Sequence, residues 1–260
     1  MSAVLQVEGL RKAFGGVQAV ADVSFALSAG ELLALIGPNG AGKSTCFNML
    51  NGQLKPDSGL VEFEGRNITG MSPRAIWRLG VGRTFQITAT FATMTVRENV
   101  QVALVSHHGQ LFNLFASTPK LARDEAGRLL ELVGMSGYAD RPCGELAYGD
   151  LKRLELAVAL ANQPKLLLMD EPTAGMAPRE RIELMRLTAR IAREQSIGVL
   201  FTEHDMDVVF EHADRILVLN RGTLIAEGSP EEVRRDPQVR AIYLGDGRPD
   251  DARHREGGAP

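Results

Sequence analysis

Apolar and polar positions alternate in Val4-Leu5-Gln6-Val7 and in Val23-Ser24-Phe25-Ala26-Leu27, the period of two expected of strands with one covered face. Glycines lie between the two stretches, so they predict antiparallel strands near the start of the chain. A wholly apolar run, Leu32 to Ile36, then enters a glycine-rich turn and a helix near Ser44 to Leu50. Val61-Glu62-Phe63 before Glu64-Gly65 predicts another hairpin. From about Thr88 to Ala161 the pattern is mostly helical and holds no strong buried strand, which marks a candidate inserted lobe. Apolar runs return at Leu166 to Met169, Gly198 to Phe201 and Ile216 to Leu219. Between the first two, Pro178 opens a helix whose Ile182, Met185, Ala189 and Ala192 keep helical spacing.

Strands alternating with helices predict an α/β fold with a mainly parallel sheet covered on both faces. Ser229-Pro230-Glu231-Glu232 reads as a capping box that launches a short last helix, ended by Pro237. From Gly245 the chain is rich in glycine, proline and charge, and a disordered tail is expected over 245–260. The division that follows is one domain over 1–244, with a core at about 1–87 and 162–244 and a helical lobe at about 88–161. There is no internal repeat.

Length and composition narrow the class. A chain of 260 residues with 44% apolar residues buries a full core and suits one large domain or a domain carrying an inserted lobe. The net charge of -3 gives no reason to expect a nucleic-acid partner. Cys46 and Cys143 stand far apart, form no metal-ligand pair and read as packing residues of a chain in a reducing compartment. The first residues show no secretory leader, and no apolar run reaches the roughly 18 residues of a membrane span. Service to a membrane, if any, is therefore expected from its side.

Candidate chemistry begins where the apolar run Leu32 to Ile36 ends. Gly37-Pro38-Asn39-Gly40-Ala41-Gly42-Lys43-Ser44 matches G-x-x-x-x-G-K-[ST] in full and lies between a buried strand and a helix. Glycines let successive backbone N–H groups point inward, and the helix start adds positive dipole, so a polyphosphate is held without side-chain bulk. Lys43 reaches the β- and γ-phosphates, Ser44 ligates Mg²⁺, and Thr45 adds a phosphate hydrogen bond. A dinucleotide fingerprint fails, because Gly37 and Asn39 do not supply G-x-G. Downstream, Leu166 to Met169 ends in Asp170 and Glu171. Two adjacent carboxylates repel unless a cation lies between them, so Mg²⁺ held by Asp170 through water and a water activated by Glu171 form one consistent reading.

With the phosphate loop and the acidic strand end in this order, the chain resembles the ATPase subunit of ATP-binding cassette transporters over about residues 4 to 244. The resemblance implies a P-loop NTPase core with an N-terminal antiparallel β subdomain and an inserted helical subdomain. It implies that Phe14 in "RKAFGG" stacks on adenine, that Gln86 in "GRTFQ" touches Mg²⁺ and couples to the membrane subunit, and that His204 in "FTEHDMD" is the switch contacting the γ-phosphate. Leu146-Ala147-Tyr148-Gly149-Asp150 is similar to the family's signature turn, which closes over the ATP of a second subunit in a head-to-tail dimer. The segments "FGGVQAV", "EPTAGMAP", "TEHDM" and "AIYLG" look most like the ATPase of branched-chain amino-acid importers. Two permease subunits, a second ATPase subunit that is a copy or a relative of this chain, and indirectly a periplasmic solute-binding protein are the implied partners. The implied location is the cytoplasmic face of the cell membrane.

Four positions depart from the family pattern. Ala147 stands where serine is usual and loses a hydroxyl contact worth about 1.5–3 kcal/mol to a charged acceptor. Tyr148 replaces a glycine, Asp150 replaces a glutamine and brings a negative charge near phosphate, and Ala177 stands where an aspartate commonly bridges the dimer. Gly149 is expected to tolerate no side chain. Two rival readings stand beside transport: a non-transport ATPase of the same architecture, and a regulatory module that grips ATP with little hydrolysis. His107-His108 reads as solvated loop, and Trp77 and Phe112 to Phe115 read as packing residues of the lobe.

Overall fold

The computed structural model describes residues 3–84, 90–107 and 118–243. The two predicted N-terminal strands are long: β1 (Ala3–Phe14) and β2 (Val17–Ser28) pair antiparallel, Phe14 facing Val17 across the turn. With β4 (Ser58–Phe63) and β5 (Arg66–Asn67), which form the expected hairpin, they make a four-stranded sheet in the order β2-β1-β4-β5. The second sheet has six strands in the order β10-β9-β3-β8-β7-β6. Its members are β3 (Leu32–Ile36), β6 (Val81–Thr84), β7 (Leu166–Asp170), β8 (Gly198–Thr202), β9 (Arg215–Asn220) and β10 (Thr223–Gly228). Pairing is parallel from β9 through β6, and β10 closes the edge antiparallel to β9.

Nine helices join these strands among the described residues: α1 (Lys43–Leu50), α2 (Pro73–Arg78), α3 (Val96–His107), α4 (Thr118–Leu132), α5 (Tyr148–Leu160), α6 (Pro178–Gln195), α7 (Met206–His212), α8 (Pro230–Arg235) and α9 (Pro237–Tyr243). The central strands alternate between two cores. Leu33, Leu35, Leu166, Leu168, Leu200, Leu217 and Leu219 pack with α1 and the antiparallel sheet. Leu32, Ala34, Ile36, Leu167, Met169, Val199 and Phe201 pack with α3, α5 and α6 on the other face. Burial on both faces is why these strands read as continuous apolar runs.

Three elements differ from the sequence reading. β6 was hidden because Val81-Gly82-Arg83-Thr84 carries an arginine and a glycine; a Cβ at Gly82 would crowd Ala159 and Pro164, so close packing beneath α5 explains the glycine. β10 alternates weakly because it is an edge strand. The helix launched at Ser229 stops before Pro237 as expected but is not the last: Pro237 opens α9, where the Asp236 carboxylate caps the N–H groups of Gln238 and Val239. Proline fits a first helical turn, whose N–H has no partner in any case. The Ser229/Glu232 capping box at α8 forms as expected. Both cysteines are free and buried, and burial pushes the Cys46 thiol up to about 12. Among the described residues no helix is long and apolar enough to cross a membrane.

His212 closes α7 in a buried position, 7% exposed. Burial holds its pKa below the ordinary value; Glu211 opposes that shift, and Arg186 and Arg193 add to it. The fold therefore favours the neutral ring. The stability this contributes is fully present above the unfolded value of about 6.5 and is lost as pH falls below it. Denaturant unfolding is expected to show stability falling from pH 7 towards pH 5, and the His212→Leu variant is expected to show a shallower fall over that window.

Candidate active site

Parallel register sets the ends of β3, β7 and β8 at one edge of the sheet. β3 ends at Ile36 and runs directly into the glycine loop. A Cβ at Gly37 would lie 2.2 Å from the Leu219 carbonyl oxygen, and one at Gly42, where φ is +107°, would lie 2.3 Å from the Ala19 carbonyl oxygen. Only glycine fits at these two positions, so the loop is pinned between β9 and β2. Gly40 faces open space, and Pro38, Asn39 and Ala41 complete a turn closed by Ala41 N–H donating to the Pro38 carbonyl at 3.0 Å. The loop is thus a backbone cradle with a helix start behind it.

Lys43 is 8% exposed, and its ammonium donates to the carbonyls of Gly37 at 2.6 Å and Pro38 at 3.3 Å. Burial lowers its pKa, and the charges of Glu171 and Asp170 pull it back up. Ser44 is exposed on the first turn of α1 and Thr45 is half-buried beside it.

The acidic pair is organised by β8. Asp170 faces Thr202 in the parallel register. The Thr202 hydroxyl donates to Asp170 Oδ1 at 2.8 Å, and Thr202 Oγ1 accepts the Glu171 N–H at 3.0 Å, which also lies 3.2 Å from the Thr202 carbonyl. On the other side Arg83 of β6 lies 3.8 Å from Asp170 Oδ2. Glu171 takes a left-handed backbone, φ +49°, which swings its side chain away from the strand direction. Its Oε1 is 2.8 Å from His204 Nε2. His204 follows β8 directly after Glu203, and Asp205 caps α7 through the N–H groups of Asp207 and Val208. Hydrogen bonds from Arg181, Val208 and Asp207 hold the Asp205 carboxyl below the usual range, against the opposing effect of its burial.

Lys43, Asp170, Glu171 and His204 therefore meet at one sheet edge. A part-buried carboxylate and an exposed hydroxyl, Asp170 and Ser44, are a donor set that suits Mg²⁺, which takes one or two side chains and completes its shell with phosphate and water. Phe14 is 50% exposed at the β1–β2 turn, with the Lys12 ammonium 5.7 Å from its ring. It is not a core residue. The hairpin that carries it also contributes the Ala19 carbonyl against Gly42. Gln86 lies outside the described residues, as do His108 and Phe112 to Phe115.

The turn Leu146 to Asp150 starts α5, with Ala147 at the N-cap in extended backbone and Asp150 in the first turn, where a carboxylate suits the helix dipole. Leu146 is half-buried, Tyr148 is exposed, and Gly149 is buried against Glu180. A Cβ at Gly149 would lie 3.0 Å from Glu180 Oε1, so within this chain the Glu180 carboxylate would have to shift to admit a side chain. Ala177 is the N-cap of α6, and its N–H is taken by the Glu180 carboxylate at 3.3 Å. Thr202, Arg83, Glu203 and Thr173 escaped the sequence reading. Thr202 was within reach, since aligning the ends of two adjacent parallel strands places a hydroxyl beside Asp170.

A phosphate cradle, an acidic strand end and a histidine after the neighbouring strand define a nucleotide-hydrolysing P-loop cassette. The chain belongs to the ABC transporter family: the model of that family matches residues 20–174, and that of the branched-chain amino acid ATP-binding cassette transporter matches residues 223–249. It is similar to the high-affinity branched-chain amino acid transport ATP-binding protein LivG of Salmonella typhimurium, 43% identical over 94% of this chain and 98% of that protein. The corresponding BraF protein of Pseudomonas aeruginosa is 41% identical over the same shares. Among solved structures, an ATP-binding cassette of an ABC transporter in its ADP conformation superposes with a TM-score of 0.84 at 34% identity, over 95% of this chain and 100% of that one.

Loss of the Thr202 hydroxyl leaves Asp170 and the Glu171 N–H each short of one partner. A hydrogen bond to a charged acceptor is worth about 1.5–3 kcal/mol. Thr202→Val is therefore expected to lower ATP turnover by about ten- to a hundredfold in a steady-state phosphate-release assay.

Proposed function

We propose that this chain is the ATP-hydrolysing subunit of an importer for branched-chain or other hydrophobic amino acids, acting from the cytoplasmic face of the membrane. The observation that carries the reading is the 2.8 Å contact between Glu171 and His204 at the strand end beside Asp170 and the pinned glycine loop. Backbone N–H groups of Gly40 to Lys43 and the Lys43 ammonium would cradle the β- and γ-phosphates, with Phe14 stacked on adenine and Thr45 donating to phosphate. Ser44 and Asp170 would hold Mg²⁺ with Gln86, Asp170 through water. When bound, Mg²⁺ would neutralise charge on the phosphates and orient them for in-line attack.

Glu171 would take the proton of the attacking water while His204, hydrogen-bonded to it, keeps the carboxylate aimed and reads the γ-phosphate. The turn Leu146 to Asp150 would close over the nucleotide of a second ATPase subunit, a copy or a paralogue, in a head-to-tail dimer. Closure would move two permease subunits seated near Gln86 and the helical lobe over about 88–161, with solute delivered by a periplasmic binding protein. Transport is favoured over a non-transport role by the match to transporter subunits along 94% of the chain. Hydrolysis is favoured over a silent regulatory module by the intact Glu171–His204 pair.

General-base catalysis typically contributes about 10²–10⁴-fold. Glu171→Gln is expected to retain ATP binding, read by a fluorescent nucleotide, and to lose at least about a hundredfold of turnover. Turnover at the wild-type rate would refute the assignment of the base. Proteoliposomes holding the complex with its permeases and receptor are expected to accumulate leucine in an ATP-dependent manner, and no accumulation of any apolar amino acid would refute the substrate class.

A further inference from the structure

The turn at the start of α5 and the hydrolytic edge are joined inside one chain. Tyr148 is 43% exposed, yet its hydroxyl donates to the Ala174 carbonyl at 3.1 Å. At Gly175, where φ is +78°, a Cβ would sit 3.4 Å from the ring edge. The Lys152 ammonium is 5.5 Å from the ring centroid, and Lys152 is itself held by Glu155 at 3.0 Å. The aromatic ring is therefore fixed between a helix and a loop, and its one polar atom is spent on the loop.

That loop, residues 172–177, leads from Glu171 to α6. Near its start, Thr173 donates both its N–H and its hydroxyl to Glu203 Oε1, at 2.9 and 2.7 Å. Near its end, Arg181 bridges the Met176 carbonyl, at 2.8 Å, to the Asp205 carboxylate, at 2.6 Å. Glu203 and Asp205 flank His204, which in turn contacts Glu171. The loop is thus clamped on both sides of the histidine and gripped in its middle by Tyr148.

We propose that Tyr148 is a positioning residue that transmits the state of the turn Leu146 to Asp150, through Ala174 and the 172–177 loop, to the chain's own Glu171–His204 pair. The proposal rests on the head-to-tail reading, in which the turn meets the partner's nucleotide while Glu171 serves the chain's own. A shift of the α5 start pulls on the Ala174 carbonyl, and the loop's two clamps pass that pull to the backbone beside His204. Occupancy of one site thereby adjusts the geometry of the other, which makes ATP hydrolysis cooperative in ATP.

The test is ATP turnover against ATP concentration in the reconstituted transporter, for the wild type, Tyr148→Phe, Thr173→Val and the double variant. Phenylalanine keeps the ring and removes the hydroxyl, so a purely structural role of the ring is preserved. Tyr148→Phe is expected to bring the Hill coefficient down towards one and to lower kcat about three- to tenfold, the size of one neutral hydrogen bond. The double variant is expected to be no worse than the more impaired single variant, because both act on one link. A Tyr148→Phe complex with wild-type cooperativity and kcat overturns the proposal, as do effects that multiply independently. A wild-type complex whose Hill coefficient is one, together with a Glu171→Gln chain that stays monomeric in ATP, overturns the head-to-tail reading and the inference with it.

Discussion

The parallel pairing of β7 with β8, in which Asp170 faces Thr202, is the constraint on which the rest of the site depends. One hydroxyl oxygen serves two groups there, donating to the Asp170 carboxylate and accepting the Glu171 N–H. The backbone at Glu171 can then turn left-handed without losing its partner, and the turn brings its carboxylate to His204 at the end of β8. Sliding either strand by one residue would reverse every side chain between the two cores. The two apolar faces of the sheet hold the register, and the register holds the acid.

The same edge explains why charge is tolerated there. Lys43, Arg83, Asp170, Glu171 and His204 are brought together where helix starts and loop amides supply further dipoles. Burial weakens the charged form of Lys43 and Arg83, and the carboxylates oppose that effect. Each charge is therefore conditional on the others, the arrangement expected of groups that handle a polyphosphate. The departures at Ala147, Tyr148 and Asp150 fall at the start of α5. There the structure shows a tyrosine fastened to the loop behind Glu171, where a glycine would leave that loop free on this side.

The phosphate loop was legible because glycine spacing, Lys43 and Ser44 are dictated by backbone approach, and the structure supplies the reason at Gly37 and Gly42. Asp170 and Glu171 were legible because a buried run ends in two acids. The apolar runs and the helix opened by Pro178 were legible because they are long and periodic. β6 was not, since its glycine and arginine answer to packing under α5 and to Asp170 rather than to burial of a face. Glu203 and Thr173 were not, because their roles depend on a partner 30 positions away in sequence, whereas Thr202 was within reach by aligning the ends of β7 and β8. Pro237 misled because proline both ends one helix and begins the next. Phe14 was singled out only through the resemblance, and its exposure sets it outside the core. Gly149 packs within this chain against the Glu180 carboxylate, which also holds the Ala177 N–H.

The central claim is that the edge shared by β3, β7 and β8 is where ATP is cleaved. It is tested most directly by a crystal structure of the chain trapped with Mg²⁺, ADP and orthovanadate. The account predicts vanadate between Lys43 and the Glu171–His204 pair, with an apical water within hydrogen-bond reach of Glu171 and the metal on the Ser44 and Asp170 side. A trapped nucleotide whose vanadate lies away from Glu171, with that carboxylate still turned to protein groups alone, would contradict it.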